Sequence, residues 1–185
     1  MSEPTALDLP TPPLTVGELA LRPWRLDDAD ALVAAWHDPE IVRWSAVPDA
    51  RDHAAARRWI EAEPLRRERG LALDLVVTEL ENDAAVLGEV GLSSIDRRRG
   101  AAFVGYWTAL RARRRHVATR AAGAVAVWAL DPAGPLALRM LVARCDPANH
   151  ASHGVAGAAG FVPAGTDREG FDLFVRRAGA PVRTV

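Results

Sequence analysis

The sequence predicts a mixed α/β fold in which a central, mostly antiparallel sheet carries helices on both faces. The length of 185 residues and the 49% apolar composition suit one domain with a sizeable core. Apolar runs separated by short polar turns in the middle of the chain are typical of antiparallel hairpins. Helical patterns before and after these runs give the order β-α-α-β-β-β-α-β-α-β-β, which predicts a layered sheet-and-helix domain.

The first third of the chain predicts one strand and two helical regions. Residues 19–26 form the predicted strand, and residues 27–36 form a helix capped by one of its first two aspartates. After a proline-containing turn, residues 49–68 have the pattern of a second helical region. Pro64 lacks a backbone N–H, so this region is expected to be interrupted or bent there.

The rest of the chain predicts three strands in quick succession, a helix, a strand, a short helix and a final hairpin. Polar turns separate the three strands, and the proline- and glycine-containing segment 131–135 ends the long helix. The predicted ranges are 73–78, 86–95 and 102–108 for the three strands, 117–130 for the helix, 136–145 for the next strand, 151–159 for the short helix, and 161–164 with 171–175 for the hairpin.

The two ends of the chain are predicted to be tails that flank one domain. Residues 1–17 contain four prolines and few large apolar side chains, which is the composition of a flexible segment. Residues 178–185 have a similar composition. No linker or internal repeat interrupts the segment between the tails, so residues 18–177 are predicted to form a single domain.

The charge pattern argues against a nucleic-acid-binding or membrane protein. The net charge is −1, so the chain has no general attraction to polyanions. Arginines cluster at residues 97–99 and 111–115, but they lack the interleaved aromatic residues of a nucleic-acid surface. Because no signal pattern or membrane-length apolar run is present, a cytoplasmic protein is expected.

The basic residues and the cysteine count exclude several kinds of chemistry. All 23 basic residues counted as Lys or Arg are arginines, so neither a Schiff-base lysine nor a phosphate-loop lysine is available. Cys145 is the one cysteine, which excludes an intrachain disulfide and a cysteine zinc cluster, and no metal is expected. We expect Cys145 to be a small buried apolar residue, with an acyl-cysteine intermediate as an alternative that lacks a base partner.

Residues 105–119 form the most informative segment of the sequence. Gly105-Tyr106-Trp107 belongs to a predicted strand that ends in an arginine-rich turn, and this turn opens directly into a predicted helix. The first backbone N–H groups of a helix have no partner within the helix, and the helix dipole adds a partial positive charge there. The segment therefore predicts a binding site for a phosphate-bearing ligand.

Together with Asn149-x-x-Ser152 and Gly160-Phe161, this segment resembles the GNAT acyltransferases, in particular their RimJ/RimL-like branch. The resemblance covers about residues 19–170. It implies a GNAT fold with a twisted sheet, acetyl-CoA as cosubstrate and a primary amine as acceptor. It also implies a possible homodimer, because members of the family often form dimers.

The resemblance places the cofactor loop at residues 113–118. The family pattern is R/Q-x-x-G-x-G/A, whose backbone N–H groups hold the pyrophosphate of acetyl-CoA. The implied cofactor-binding residues are Arg113, Arg114, Arg115, His116, Val117, Ala118, Thr119 and Asn149. His116 departs from the family glycine: with a negative φ it could remain and donate to phosphate, whereas a required positive φ would lower cofactor affinity.

The resemblance also implies catalytic roles for two residues after the buried strand. Ser152 would donate a proton to the departing thiolate, and Asn149 would hydrogen-bond cofactor or substrate. From the residues alone, Asn149 has the position of a helix cap, and both interpretations can hold together. His150 and His153 have the pattern of surface residues, although either could replace Ser152 as acid.

The general base is the second point at which the chain departs from the family. Relatives often carry Glu two residues before Gly-Tyr-Trp, and Phe103 occupies that position here. Glu89 on the preceding strand is the base that we name, and Asp74 is a second candidate. Both also fit as half-exposed strand residues, and a water chain or an amine that arrives neutral are open alternatives.

Further residues near the predicted site are aromatic residues and a glycine. Tyr106 is expected to be a packing residue, and Gly105 to expose backbone to the pantetheine arm of the cofactor. The tryptophans Trp36, Trp44 and Trp59 either wall the acceptor pocket or fill the core between helices.

The predicted function is an N-acyltransferase that moves an acetyl group from acetyl-CoA to a primary amine by direct attack in a ternary complex. The acceptor is a protein N-terminus or a small-molecule amine. The alternative is a GNAT-fold protein whose cofactor loop is degenerate, as His116 and Phe103 suggest. Such a protein would be non-catalytic or use another acyl donor, and would act as a binding or interaction module.

Overall fold

A computed structural model describes residues 6–180, and a sheet of eight strands runs through them in the order β1-β2-β3-β4-β5-β6-β8-β7. All neighbouring strands are antiparallel except β5 and β6, which are parallel. The strands are β1 Thr15–Val16, β2 Leu19–Pro23, β3 Ala72–Glu79, β4 Gly88–Asp96, β5 Ala101–Thr108, β6 Met140–Cys145, β7 Val162–Thr166 and β8 Asp172–Arg177. The predicted fold class is confirmed.

Six α-helices lie in the described part of the chain, and they cover the sheet from both sides. They are α1 Ala29–His37, α2 Pro39–Trp44, α3 His53–Glu61, α4 Glu63–Glu68, α5 Val117–Ala129 and α6 His150–Ala158. Helices α5 and α6 contribute to one apolar cluster with the sheet, while α1 and α3 contribute to a second cluster.

Successive side chains of the central strands belong alternately to the two apolar clusters. In β3, Leu73, Leu75 and Val77 join the cluster that contains α5, whereas Val76 joins the cluster of α1 and α3. Successive side chains of a strand point to opposite faces, so Asp74 shares the second face with Val76. The α1–α3 face of the sheet therefore carries the polar residues of the central strands.

The helical region predicted over residues 49–68 is divided, as its proline suggested. Helix α3 ends at Glu61 and α4 begins at Glu63, so that Pro64 lies in the first turn of α4, where its missing N–H leaves no hydrogen bond unmade. Asp52 caps α3 by accepting a hydrogen bond from the Ala55 backbone N–H at 2.7 Å.

Two of the differences from the prediction have a clear local cause. Helix α2 was not predicted: the Asp38 side chain caps it, and Pro39 opens it with the φ that a first helical turn needs. Strand β6 begins at Met140 instead of residue 136, because Ala137 has a φ of 42° that interrupts an extended backbone.

The structure corrects the prediction of a flexible N-terminal tail for residues 6–16. Leu7 is 1% exposed within the larger apolar cluster, and Leu9 and Leu14 pack against that cluster. The Leu7 backbone N–H donates to the Arg67 carbonyl at 3.0 Å, and Arg67 donates back to the Leu7 carbonyl at 3.2 Å. These few apolar side chains suffice to anchor the segment, while residues 1–5 and 181–185 of the predicted tails lie outside the described residues.

Across residues 6–180, no helix combines the length and the apolar character needed to cross a membrane.

Candidate functional site

The sheet opens between β5 and β6, and this opening is the centre of the site. The two parallel strands pair only at Ala101 with Met140, Ala102 with Leu141 and Phe103 with Val142. Beyond these pairs, β5 continues to Thr108 and β6 to Cys145 without facing one another. The backbone N–H and C=O groups along these edges are therefore available to an extended ligand that carries amide groups.

A cavity of about 1070 Å³ occupies this opening and extends across the α1–α3 face of the sheet. It is lined by β3, β4, β5 and β6, by helices α1, α2, α3 and α6, and by the turn that leads into α5. Of the predicted site residues it includes Glu89, Arg113, Arg114, His116, Val117, Ala118, Thr119, Asn149 and Ser152. Arg115 is the predicted site residue that does not line it.

The turn before α5 contains two residues in the left-handed backbone region, which glycine adopts most easily. His116 has φ 54° and ψ 24°, in the left-handed region, and Arg114 has φ 62°. Of the two alternatives for His116, the structure has the one with a positive φ, and its side chain is exposed instead of crowded. An L residue adopts this conformation at a cost, but the path of the loop is that of a glycine loop.

Helix α5 begins at this turn without a side-chain cap. The Arg120 backbone N–H is the first to bond within the helix, to the His116 carbonyl at 3.0 Å. The N–H groups of the preceding first turn are left for another acceptor, and Val117, Ala118 and Thr119 all line the cavity. A thirteen-residue helix thus directs its positive dipole end into the cavity.

The arginines of the turn have different partners. Arg113 donates to Asp38 Oδ2 at 2.7 Å and to the Thr108 carbonyl at 3.3 Å, so its guanidinium joins the turn to the cap of α2. Arg115 forms an ion pair with Glu79 at 3.1 Å. Arg114 is exposed on the cavity, and it has no ion pair with any of the residues 6–180. Arg114 is the arginine best placed to contact a phosphate.

Ser152 lies in a hydrogen-bonded cluster on the β6 side of the opening. Its Oγ is 3.1 Å from the Tyr106 hydroxyl and 3.2 Å from Cys145 Sγ, and Tyr106 also donates to the Ser152 carbonyl at 3.1 Å. Burial raises the pKa of Tyr106 well above its usual value, so this hydroxyl keeps its proton. Sequence reasoning treated Tyr106 as packing and missed this contact, because Tyr106 and Ser152 are distant in the chain.

Cys145 is buried, as predicted, and is a poor nucleophile. Its side chain is 2% exposed, and burial raises the pKa of the thiol. A raised thiol pKa disfavours the thiolate that an acyl-cysteine intermediate needs.

Asn149 caps α6. Its Oδ1 accepts a hydrogen bond from the Ser152 backbone N–H at 3.0 Å, which confirms the helix-cap interpretation. Gly160, with φ 85°, follows the end of the helix. Because Asn149 also lines the cavity, its role toward a ligand stays a prediction.

Glu89 lies on the sheet face below α1–α3, between two tryptophans. Trp24 Nε1 donates to Oε2 at 2.8 Å, and Trp107 Nε1 donates to Oε1 at 3.2 Å. Removal from water and, to a lesser degree, the nearby Asp74 carboxylate raise the pKa of Glu89 to about 8. A carboxyl group with such a pKa exchanges protons near neutral pH.

Asp74, the second candidate base, is already paired. Its Oδ2 accepts from Arg66 at 3.2 Å, and the Arg66 guanidinium stacks on Trp59 at 4.3 Å from the ring centroid. Burial raises the pKa of Asp74 although Arg66 opposes this shift. Sequence reasoning missed Arg66 and Trp24, since neither belongs to a motif.

The tryptophans named from the sequence lie at the cavity, and two of them also lie in the core. Trp36, Trp44 and Trp59 line the cavity, and Trp36 and Trp59 also pack in the α1–α3 cluster. Phe103 is 38% exposed on the neighbouring strand and supplies no ionisable group.

The chain belongs to the GNAT acetyltransferase family, because the family model described as "Acetyltransferase (GNAT) domain" matches residues 18–162. A curated relative, the uncharacterized N-acetyltransferase p20 of Bacillus licheniformis, is 33% identical over 88 residues. That match spans 48% of this chain and 49% of the relative, so it covers about half the length of each protein.

Two solved structures illustrate the similarity of fold. The ribosomal-protein-S5-alanine acetyltransferase from Vibrio fischeri has a TM-score of 0.77 and 18% identity, over 90% of this chain and 97% of its own. The microcin C7 self-immunity acetyltransferase MccE, in complex with acetyl-CoA and AMP, has a TM-score of 0.74 and 19% identity, over 88% of this chain and 93% of its own. At these identities the likeness is one of fold.

Proposed function

We propose that this protein transfers the acetyl group of acetyl-CoA to a primary amine by direct attack in a ternary complex. The observation that carries the proposal is one continuous cavity that joins the uncapped start of α5, the opening between β5 and β6, and the Glu89 carboxyl. Groups suited to a phosphate, to extended amide groups and to a proton thus line one space.

The residues present fit acetyl-CoA. The first-turn N–H groups of α5 suit a pyrophosphate, and Arg114, which has no ion pair among residues 6–180, adds a positive charge beside them. The unpaired edges of β5 and β6 suit the amide groups of a pantetheine arm. When bound, acetyl-CoA supplies an activated acetyl thioester; MccE, which shares the fold, is known with acetyl-CoA bound.

On the acceptor side, Glu89 receives the proton that the amine nitrogen loses. In its ionised form Glu89 has two indole N–H donors to hold its orientation, from Trp24 and Trp107. The raised pKa of Glu89 is closer to the pKa of an amine than that of an ordinary carboxylate is. Proton transfer from the amine to Glu89 is therefore less unfavourable.

On the leaving-group side, Ser152 Oγ donates to the departing thiolate, and the Tyr106 hydroxyl, which keeps its own proton, holds the serine in position at 3.1 Å. A thiolate with a pKa near ~8.5 is a tolerable leaving group, so this donor assists the reaction without deciding it. Asn149 positions Ser152 through the cap of α6.

Isothermal titration of the full chain with acetyl-CoA, followed by a thiol-release assay with a panel of amines, tests the proposal. Micromolar to millimolar binding and amine-dependent thiol release are expected. No binding by the native chain at millimolar acetyl-CoA, together with restored binding in His116→Gly, would overturn it. That result would favour the alternative of a degenerate loop in a non-catalytic binding module.

A further inference from the structure

We propose that the half of the cavity between β4–β5 and α1–α3 binds an apolar amine of arylalkylamine type, with no carboxylate or peptide group next to its nitrogen. This inference rests on the proposed function, since it names the class of acceptor for the same site. The floor, the walls and the charge of this half-cavity each support it.

The floor of the acceptor half is made of bare backbone. Gly91 of β4 is directly opposite Gly105 of β5, and both line the cavity on the α1–α3 face. A Cβ added at Gly105 would meet nothing within 4 Å, whereas one at Gly91 would lie 2.6 Å from Asp74 Oδ1. Gly105 therefore leaves open a space the size of a side chain, whereas the Asp74 carboxylate already fills the corresponding space above Gly91.

The walls of the acceptor half are mainly aromatic and aliphatic, although Arg43, Ser45 and Ser93 also line the cavity. Trp107 stands at one end of the glycine floor, and α1 and α3 contribute Trp36 and Trp59. Trp24 braces this group, with ring centroids 5.7 Å from Trp59 and 6.3 Å from Trp107. The other apolar residues that line this part are Leu32, Ile41 and Val47. Such walls suit a flat apolar body and the π-faces attract an ammonium group.

The two carboxyl groups at the floor have a place for one cation. Asp74 is paired with Arg66, and no arginine or histidine among residues 6–180 forms an ion pair with Glu89. An ammonium group beside Glu89 would favour the ionised form of this carboxyl and pair with it, because buried charges in proteins are normally paired. A carboxylate next to the amine would instead face Asp74 and Glu89 and be repelled.

A peptide N-terminus fits this half-cavity less well. The group next to its nitrogen is a carbonyl and an amide, which must find hydrogen bonds when they leave water. The indole N–H groups of Trp24 and Trp107 are used by Glu89, and that of Trp44 donates to Glu40, so few indole donors remain for the carbonyl and the amide. We therefore infer a small amine in preference to a protein.

Equilibrium binding of 2-phenylethylamine, measured by tryptophan fluorescence and calorimetry without acetyl-CoA, tests the inference independently of catalysis. L-Phenylalanine adds a carboxylate to the same body, L-phenylalaninamide adds a carboxamide, and 2-phenylethanol removes the charge. We expect 2-phenylethylamine to bind at least tenfold more tightly than each of the three. Equal or tighter binding of L-phenylalaninamide or L-phenylalanine would overturn the inference.

Two variants locate the binding. Gly105→Val projects methyl groups into the open space above the floor and is expected to abolish binding, with an unchanged melting temperature. Glu89→Gln is expected to weaken the binding of 2-phenylethylamine at least tenfold and to leave 2-phenylethanol unaffected. Val127→Ala, on the exposed face of α5, is the matched control with native binding. Binding that survives both cavity variants would contradict the proposed site.

The two proposals fail in different ways. If 2-phenylethylamine binds as expected but releases no thiol with acetyl-CoA, the acceptor site stands and the transferase function fails. If a peptide N-terminus is acetylated while 2-phenylethylamine neither binds nor reacts, the function stands and the acceptor class is wrong.

Discussion

The backbone conformation of His116 could not be predicted from the sequence. The sequence identified the cofactor loop, and it correctly marked His116 as its irregular position. It could not decide the sign of φ, because histidine adopts both the right-handed and the left-handed region. In the structure φ is 54°, so the loop keeps the path of a glycine loop, and the histidine bears the steric cost of it.

Substitutions at His116 measure that cost. We expect His116→Val to unfold more easily than His116→Gly by about 1–2 kcal/mol in urea, because a β-branched residue is strained at positive φ. His116→Gly should also bind acetyl-CoA at least as tightly as the native chain. The same pair of substitutions at Arg98, an exposed turn residue without a positive φ, is the control. An equal advantage for Gly at Arg98 would show that loop strain is not the cause.

Glu89 gives the reaction a defined pH dependence. Because the pKa of Glu89 is raised to about 8, the group is largely protonated at pH 6 and ionised at pH 9. With an acceptor whose amine is already neutral below pH 7, kcat/KM should rise up to about pH 8 and then level off. Glu89→Gln should lower kcat by roughly 10²–10⁴ and remove this rise. An unchanged pH profile in the variant would exclude Glu89 as the base.

The raised pKa of Glu89 also makes stability depend on pH, in the direction opposite to that of a carboxylate in an ordinary ion pair. The folded protein holds the Glu89 proton up to about pH 8, whereas the unfolded chain releases it near the ordinary glutamate pKa of 4.5. The free energy of unfolding should therefore fall as the pH rises from about 5 to 8, and less steeply in Glu89→Gln. Burial raises the pKa values of Asp74 and Glu63 too, so part of the slope remains in the variant. Urea denaturation at several pH values measures both slopes.

At the scale of elements, sequence patterns predicted which helices and strands form better than they predicted which side chains contact one another. The start of α1 was expected from an aspartate cap, and Asp28 does hold the N-cap position, but its side chain caps no helix N–H of α1. Its carboxylate instead accepts two hydrogen bonds from Arg22, at 2.7 and 2.8 Å, and one from the Arg25 backbone N–H. Such a bidentate pair depends on strand β2 lying beside the helix, which local propensity does not report.

The Arg22–Asp28 pair should matter more than its neighbours in the same turn. Both side chains are largely buried, so Asp28→Ala leaves a guanidinium without its counter-charge and should cost about 3–5 kcal/mol in unfolding free energy. Asp27→Ala is the matched control, because this exposed side chain should change stability by less than about 0.5 kcal/mol. Similar losses for both variants in chemical denaturation would indicate a charge effect on the turn as a whole.

At the scale of the whole molecule, the fold and the location of the cofactor site were predictable, but the composition of the cavity was not. The order of strands and helices and the Gly105–Thr119 segment follow from local patterns, which the chain carries intact. The Glu89 carboxyl is held in its orientation by Trp24 and Trp107, which are 65 and 18 residues away in sequence. Only the pairing of β4 with β5 and the packing of the Trp24 segment bring these three side chains together.

The N-terminal boundary of the domain also depends on packing across the whole molecule. The proline-rich composition of residues 1–17 predicted a tail, since four prolines disfavour regular structure. Composition averages over the segment, however, and a single well-placed side chain can anchor it. Leu7 is 1% exposed in the main apolar cluster, and its backbone pairs with Arg67 next to the end of α4.

Leu7→Ala should therefore destabilise the whole domain and not merely loosen an end. Removing a buried leucine side chain costs about 2–5 kcal/mol in unfolding free energy, through lost burial and the cavity that remains. Asp8→Ala, at the exposed neighbouring position, should cost less than about 0.5 kcal/mol. Urea denaturation followed by tryptophan fluorescence measures both variants. A loss for Leu7→Ala as small as that for Asp8→Ala would place the boundary near residue 18, whereas the expected loss extends the cooperative unit to residue 7.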